Sequence, residues 1–196
     1  MKLIYTASQV REAEKPYIEA ADYDGYLMQR AADAVAAEAQ DVLHGTENAK
    51  ILLLIGPGNN GADTIYAGAR LSAKGHRVDA VIFDSSEKNL ELIAREGGEG
   101  TRVLDPEHTH EQLAGYDLTI DGILGTGSSG AVRGSAGEYL GVLRAAQLDG
   151  KLGAVLAVDT PSGVDNNRGT VHEPSLRADR TVTFIGHKLP AGTSHS

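Results

Sequence analysis

The chain has no cysteine and no tryptophan, only two phenylalanines and two methionines, and no apolar run long enough to span a bilayer. The missing cysteines exclude disulfides and thiolate chemistry, a usage that fits a cytoplasmic protein. The start, Met1-Lys2-Leu3-Ile4-Tyr5-Thr6, lacks the apolar core of a secretory leader. Basic residues are in deficit: 18 Lys and Arg against 27 Asp and Glu give a net charge of −9, which argues against nucleic acid as a partner. The expectation is therefore a cytoplasmic chain bound to neither nucleic acid nor membrane. A phosphorylated ligand would have to rely on backbone donors and a few cations, against an unfavourable overall field.

What the chain does have is 196 residues of ordinary globular composition, enough for one domain with a real core. It is organised around residues 50–64, Lys-Ile-Leu-Leu-Leu-Ile-Gly-Pro-Gly-Asn-Asn-Gly-Ala-Asp-Thr. Five apolar residues, Ile51–Ile55, bounded by turn residues suit a strand buried on both faces. The glycines let a ligand approach the main chain. A helix opening near Asp63 or Thr64 would turn its free N–H groups and positive dipole end toward that loop, so a phosphate is the natural occupant. Gly56-x-Gly58-x-x-Gly61 is also the dinucleotide fingerprint, with Asp84 at about the right distance for a ribose contact. A tight turn with no ligand is the alternative.

Along the chain, Thr6-x-x-Gln9 forms a capping box for a helix from Ala7, which Pro16 should kink or interrupt. A second helix is expected over 26–43, with Leu27, Met28, Ala31, Val35, Ala39 and Val42 on one stripe and Gly45 ending it. Strands are expected at 51–55, 78–83, 102–104, 118–124, 154–158 and 181–185, and helices at 63–73, 87–95, 108–114 and 135–147. Strands alternating with helices predict a mostly parallel sheet covered on both faces. The fold class is thus α/β, a Rossmann-like three-layer sandwich with N-terminal helices.

Three loops then fall at the carboxyl ends of strands, where ligands bind in open α/β sheets: 56–63, 121–134 and 159–165. The second is Gly-rich and carries one cation, Arg133. In the third, Asp159 follows a buried strand; partial desolvation would suit it to proton transfer, while a turn-capping Asp is the plain alternative. His108-x-His110 lacks a third metal ligand, and His172 and His187 are isolated.

These loops also carry a resemblance. Gly-Pro-Gly-Asn-Asn-Gly-Ala-Asp at 56–63, Asp-Gly-Ile-Leu-Gly-Thr-Gly at 121–127 with Arg133-Gly134, and Val-Asp-Thr-Pro-Ser-Gly-Val-Asp at 158–165 resemble the YjeF N-terminal domain family. Tyr5-Thr6-Ala7-x-x-Val10-Arg11, Leu27-Met28-x-Arg30-Ala31, and Thr181-Val182-Thr183-Phe184 with Lys188 fit it too. The resemblance spans nearly all of 1–196. It implies an isomerase, NAD(P)H-hydrate epimerase, which interconverts the R and S forms of NADHX and NADPHX in nicotinamide nucleotide repair, commonly as a homodimer. By position it implies that Asn59, Asn60, Gly61, Ala62 and Asp63, with Gly125, Thr126, Gly127, Ser128, Ser129, Gly130 and Ala131, line the hydrated dinucleotide, and that Asp159 touches it and is catalytic. It further implies one K⁺ per subunit, held by Asn60, Asp121 and Ser162; few charges and hard oxygens suit that ion. The family loop is usually Asn-Asn-Gly-Gly-Asp-Gly, so Ala62 and Thr64 depart from it, and Ala62 is tolerable only at negative φ. The chain is expected to be a possible fragment of a bifunctional protein, with an ADP- or ATP-dependent dehydratase fused to it or separate.

Two other readings compete. A non-catalytic nucleotide-binding or scaffold module has no need of Asp159, Asn60 and Asp121 together. An NAD-dependent dehydrogenase leaves the two later loops unexplained, and the chain has no Tyr-x-x-x-Lys relay.

Overall fold

A computed structural model describes residues 7–19, 25–83, 87–97, 100–106, 113, 115–165 and 168–184. The expectations for Thr6, Asp84, His108, His110, His187 and Lys188, and nearly all of the helix over 108–114, lie outside the described residues.

The elements are α1 (Ala7–Ile18), α2 (Tyr26–Val42), β1 (Lys50–Ile55), α3 (Asn59–Ala73), β2 (Arg77–Ile82), α4 (Glu87–Glu96), β3 (Thr101–Val103), β4 (Leu118–Gly122), α5 (Gly134–Leu148), β5 (Ala154–Val158), β6 (Val164–Asp165), β7 (Thr170–Val171) and β8 (Arg180–Val182). Six strands form one sheet in the order β3-β2-β1-β4-β5-β8, and every neighbouring pair is parallel. The chain begins this sheet at its centre, runs outward through β2 and β3, then returns to the other side of β1 as β4. The order therefore reverses between β1 and β4, the position at whose carboxyl ends ligands bind in open α/β sheets.

Strand β1 shows why the sheet is three-layered. Ile51, Leu53 and Ile55 pack with Val35, Ala39, Ile65 and Leu71 of α2 and α3, while Leu52 and Leu54 pack with Tyr139, Leu140 and Leu143 of α5. Alternate side chains leave opposite faces of a strand, so five successive apolar residues can be buried only between two layers. Each contributes roughly 2 kcal/mol by its burial. Helix α2 lies against α3, β5 and β8, so the helical prelude packs across the sheet. Its Arg70–Asp33 and Arg180–Glu38 ion pairs sit at the rim of that contact.

Several boundaries differ from expectation. Helix α1 is not interrupted at Pro16 but continues to Ile18, since one proline removes only one ladder donor. Strand β4 ends at Gly122, two residues early, because Asp121 turns its carboxylate back to cap the N–H of Ile123. Strand β8 runs Arg180–Val182, with Asp159 N donating to Val182 O as the ladder closes. The antiparallel pair β6–β7 was not expected, since two-residue strands carry no readable period.

Candidate active site at the carboxyl edge of the sheet

Helix α3 opens at Asn59, four residues before the position expected, with Gly58 as its N-cap in extended conformation. The first intrahelical bond runs from Ala62 N to Gly58 O at 3.3 Å. Asn59, Asn60 and Gly61 are thus the first turn of a 15-residue helix, and among the described residues no acceptor meets their N–H groups. Three convergent donors at the positive end of a helix dipole make a cradle for an anion. The loop's glycines divide into two kinds. A Cβ on Gly56 would collide with the main chain of Ile123, and one on Gly61 with the carbonyl of Gly56. A Cβ on Gly58 would meet nothing within 4 Å. Gly56 and Gly61 let the loop close on the protein; Gly58 faces open space beside the cradle.

The two departures in this loop are accommodated. Ala62 is in helical conformation, and its methyl group joins the core between sheet and helices. Thr64 is fully buried, donates from Oγ1 to Asn60 O at 2.7 Å, and fills the space left by the missing side chain of Gly122.

Asn60 of α3, Asp121 of β4 and Ser162 of the loop after β5 are joined in one buried network that runs through the main chain of Leu124. Ser162 donates from Oγ to Asp121 Oδ1 at 2.6 Å and from its main-chain N to Oδ2 at 2.8 Å. Ser162 Oγ also accepts from Leu124 N at 3.0 Å. Asn60 Nδ2 donates to Val158 O at 2.7 Å and Leu124 O at 3.1 Å, tying the first loop to the other two. Its Oδ1 is left outside these bonds. Asp121 is completely buried, and among the described residues no Lys, Arg or His pairs with it. Burial pushes its carboxyl pKa up, and the hydrogen bonds from Ser162 and Ile123 offset this only in part.

Asp159 lies at the end of β5 with a φ of 67°. Thr160 N reaches back to Val158 O at 2.8 Å, closing a tight turn centred on Asp159. A non-glycine residue in that conformation is strained, and such strain concentrates where a side chain must be aimed. Thr126, from the second loop, donates both its main-chain N, at 2.9 Å, and its hydroxyl to Asp159 Oδ2. Residues 125–131 form the half-exposed rim opposite, with Ser128 N and Oγ both on Gly125 O. Arg133 caps the start of α5 and is exposed.

The expected site residues therefore lie along one edge. Gly58 and Asn59 are exposed at the cradle, Asn60 to Asp63 are buried in the opening turns of α3, Asp121 and Ser162 are in contact, and Asp159 is bound to Thr126. Sequence reading missed the Thr126–Asp159 pairing, which joins two loops and has no spacing to betray it. It also missed Asn89, buried in α4 with Nδ2 donating to Gly56 O at 2.8 Å. A signal existed for the second. Asn89 stands at i and i+3, i+4 spacing from Leu92 and Ile93, so the buried stripe of α4 includes an amide that must find a partner.

Comparison with known proteins places this geometry. The fold superposes on the crystal structure of yeast ynu0 with a TM-score of 0.80 at 19% identity, over 95% of this chain and 82% of that one. The chain is 38% identical over 183 residues to NAD(P)H-hydrate epimerase of Microbacterium testaceum, covering 92% of this chain and 68% of that protein. It is 32% identical over 192 residues to the bifunctional NAD(P)H-hydrate repair enzyme Nnr of Mycobacterium tuberculosis, covering 96% of this chain but only 38% of the relative's length. The model of the YjeF-related protein N-terminus matches residues 25–189. With that match over most of its length, and with the loops that carry the match gathered at one edge of the sheet, the chain belongs to the YjeF-related protein N-terminus family.

Proposed function

We propose that this chain interconverts the R and S forms of hydrated NADH and NADPH, the isomerase activity named for its epimerase relative. The observation that carries the reading is Asp159, aimed by a strained turn and held by Thr126, beside a helix N-terminus whose first donors are unspent. The pyrophosphate suits the N–H groups of Asn59, Asn60 and Gly61, and the half-exposed 125–131 loop lines the rest of the dinucleotide, with Asp63 in the next turn of α3. The hydroxyl at C6 of the hydrated ring sits on a carbon bonded to the ring nitrogen, so its C–O bond can break with help from the nitrogen lone pair. Asp159 as the acid donates a proton, the hydroxyl leaves as water, and an iminium remains. Water then adds to the opposite face and returns the proton to Asp159, so the carboxyl group is restored and the ring is epimerised.

Asn60, Asp121 and Ser162 fit a monovalent cation. Asp121 is a buried carboxylate bound only by neutral donors, Ser162 Oγ can offer a second lone pair, and one charge among neutral oxygens suits K⁺ better than Mg²⁺. When bound, K⁺ would neutralise Asp121 and hold the three loops in register. The reading also expects a second copy of this chain as partner, and an ADP- or ATP-dependent dehydratase, fused or separate.

The test is to mix the protein with enzymatically prepared R-NADHX and follow S-NADHX by chromatography. Interconversion well above the spontaneous rate is expected. A rate equal to the spontaneous one would leave the non-catalytic nucleotide-binding module as the reading.

A further inference from the structure

Gly56 follows β1 directly, three residues before the cradle opens at Asn59, and the peptide it begins is unusual in having no donor, because residue 57 is proline. On its N side Gly56 extends the sheet, with its N–H on Gly122 O at 3.2 Å. The strand ladder ends there, since the preceding carbonyl, Ile55 O, is taken by Phe83 N at 3.0 Å. The rotation of the Gly56–Pro57 peptide, and hence the direction in which the chain enters α3, is thus set by whatever meets Gly56 O. In this structure that partner is the Asn89 side chain, 1% exposed, reaching across from α4 at 2.8 Å. The same carbonyl is wedged from the other side by Gly61, where a Cβ would collide with it.

We propose that Asn89 is a positioning residue for the dinucleotide: it fixes the Gly56 carbonyl so that the N–H groups of Asn59, Asn60 and Gly61 converge on the phosphates. Asn89 stands in the first turn of α4, on its buried face, where an apolar side chain would serve the core better at this depth. The amide is needed because the carbonyl is buried and would otherwise lack a donor. Asn60 acts in the same way for the other two loops, so the carboxyl edge is held by two side-chain amides that both grip main-chain carbonyls. The residue acts on binding of the phosphates rather than on the proton transfer at Asp159. This inference rests on the epimerase reading for its substrate.

The experiment compares the parent with Asn89→Ala and Asn89→Asp. Asn89→Ala should raise KM for R-NADHX about fivefold, the scale of one net hydrogen bond of roughly 1 kcal/mol, with kcat within about twofold. Asn89→Asp keeps the shape and can donate to Gly56 O only when its carboxyl is protonated. Its KM should therefore match the parent at low pH and rise as the new carboxyl ionises, a profile that loss of packing would not produce. NADH affinity, read by calorimetry, should follow the same pattern without depending on turnover. If the parent interconverts R and S while both variants keep the parental KM, or lose kcat with no pH-dependent KM, Asn89 does not position the cradle. If the parent binds NADH but does not interconvert, the epimerase reading fails and calorimetry alone decides Asn89. A parent that does neither overturns both.

Discussion

Two buried carboxylates of the same sheet, on the strands that flank β1, are treated in opposite ways. Asp79 of β2, toward the amino edge, receives a paired grip from Arg102 Nε and Nη2, both at 2.9 Å, and the hydroxyl of Tyr116 at 2.7 Å. Lys50 stands over the Tyr116 ring at 4.2 Å. Burial alone would raise the Asp79 pKa, but the Arg102 and Tyr116 hydrogen bonds and the nearby cations outweigh it and hold it below the ordinary value. Asp121 of β4, at the carboxyl edge, is more deeply buried and has only neutral donors, so its pKa moves the other way. A carboxylate neutralised by its own chain fastens the edge strand β3 to the sheet. Asp121 has no such cation among the described residues, and the K⁺ proposed above would supply one. The amino edge is closed by the chain's own cation, and the carboxyl edge is where we propose that one is bound.

The sharpest way to separate the edges is Asp159→Asn, which should leave the melting temperature near the parent's and lower turnover at least about a hundredfold, the usual scale for losing a general acid–base. Titrating the mutant with NADH alongside the rate assay checks it; a variant that binds normally and keeps near-parental turnover removes Asp159 from the chemistry.

Next in size is the contrast within the glycine loop. Gly61→Val should cost stability by roughly 2–3 kcal/mol, because its side chain has only the rigid Gly56 carbonyl to displace. Gly58→Val should fold almost as well as the parent, since its backbone is extended and its surroundings empty, yet lose most of the thermal shift given by NADH. Equal NADH shifts in Gly58→Val and the parent would show that the open space beside Gly58 is not where the ligand lies.

The amino edge should respond the other way round. Arg102→Met leaves Asp79 with Tyr116 alone. Breaking a buried pair costs about 3–5 kcal/mol, but Arg102 is itself largely exposed, so a loss of about 2 kcal/mol with unchanged KM is expected. Because the folded Asp79 pKa is depressed, its contribution is present above the ordinary 3.8 and fades as pH falls through the folded value. Acid unfolding of the variant should lack that fading. A change in KM with no change in stability would break the division between the two edges.

Much of this was legible in the sequence because it rests on local signals. The apolar run Ile51–Ile55, the strand Ala154–Val158 and the helix over 87–95 announce themselves by period and punctuation, and strand ends at one edge of a parallel sheet place loops 56–63, 121–134 and 159–165 together. The resemblance then supplied roles that spacing could not. What stayed hidden depends on contacts between distant segments. Asn59 to Asp63 read as a loop because Gly and Asn are poor helix formers, yet Gly58 caps the helix and the core takes Ala62 and Thr64. The positive φ of Asp159, its bond to Thr126, and the amides of Asn60 and Asn89 on remote carbonyls have no expression in local pattern.

Asp121, completely buried with no cationic partner among the described residues, is the point at which the two edges differ most, and a salt comparison reaches it directly. Thermal unfolding of the parent and of Asp121→Ala is measured in KCl and in LiCl at equal concentration. K⁺ should raise the melting temperature of the parent above its value in Li⁺, and the Asp121→Ala protein should show no difference between the two salts. The same K⁺ advantage in both proteins, or none in the parent, would contradict a cation site at the carboxyl edge.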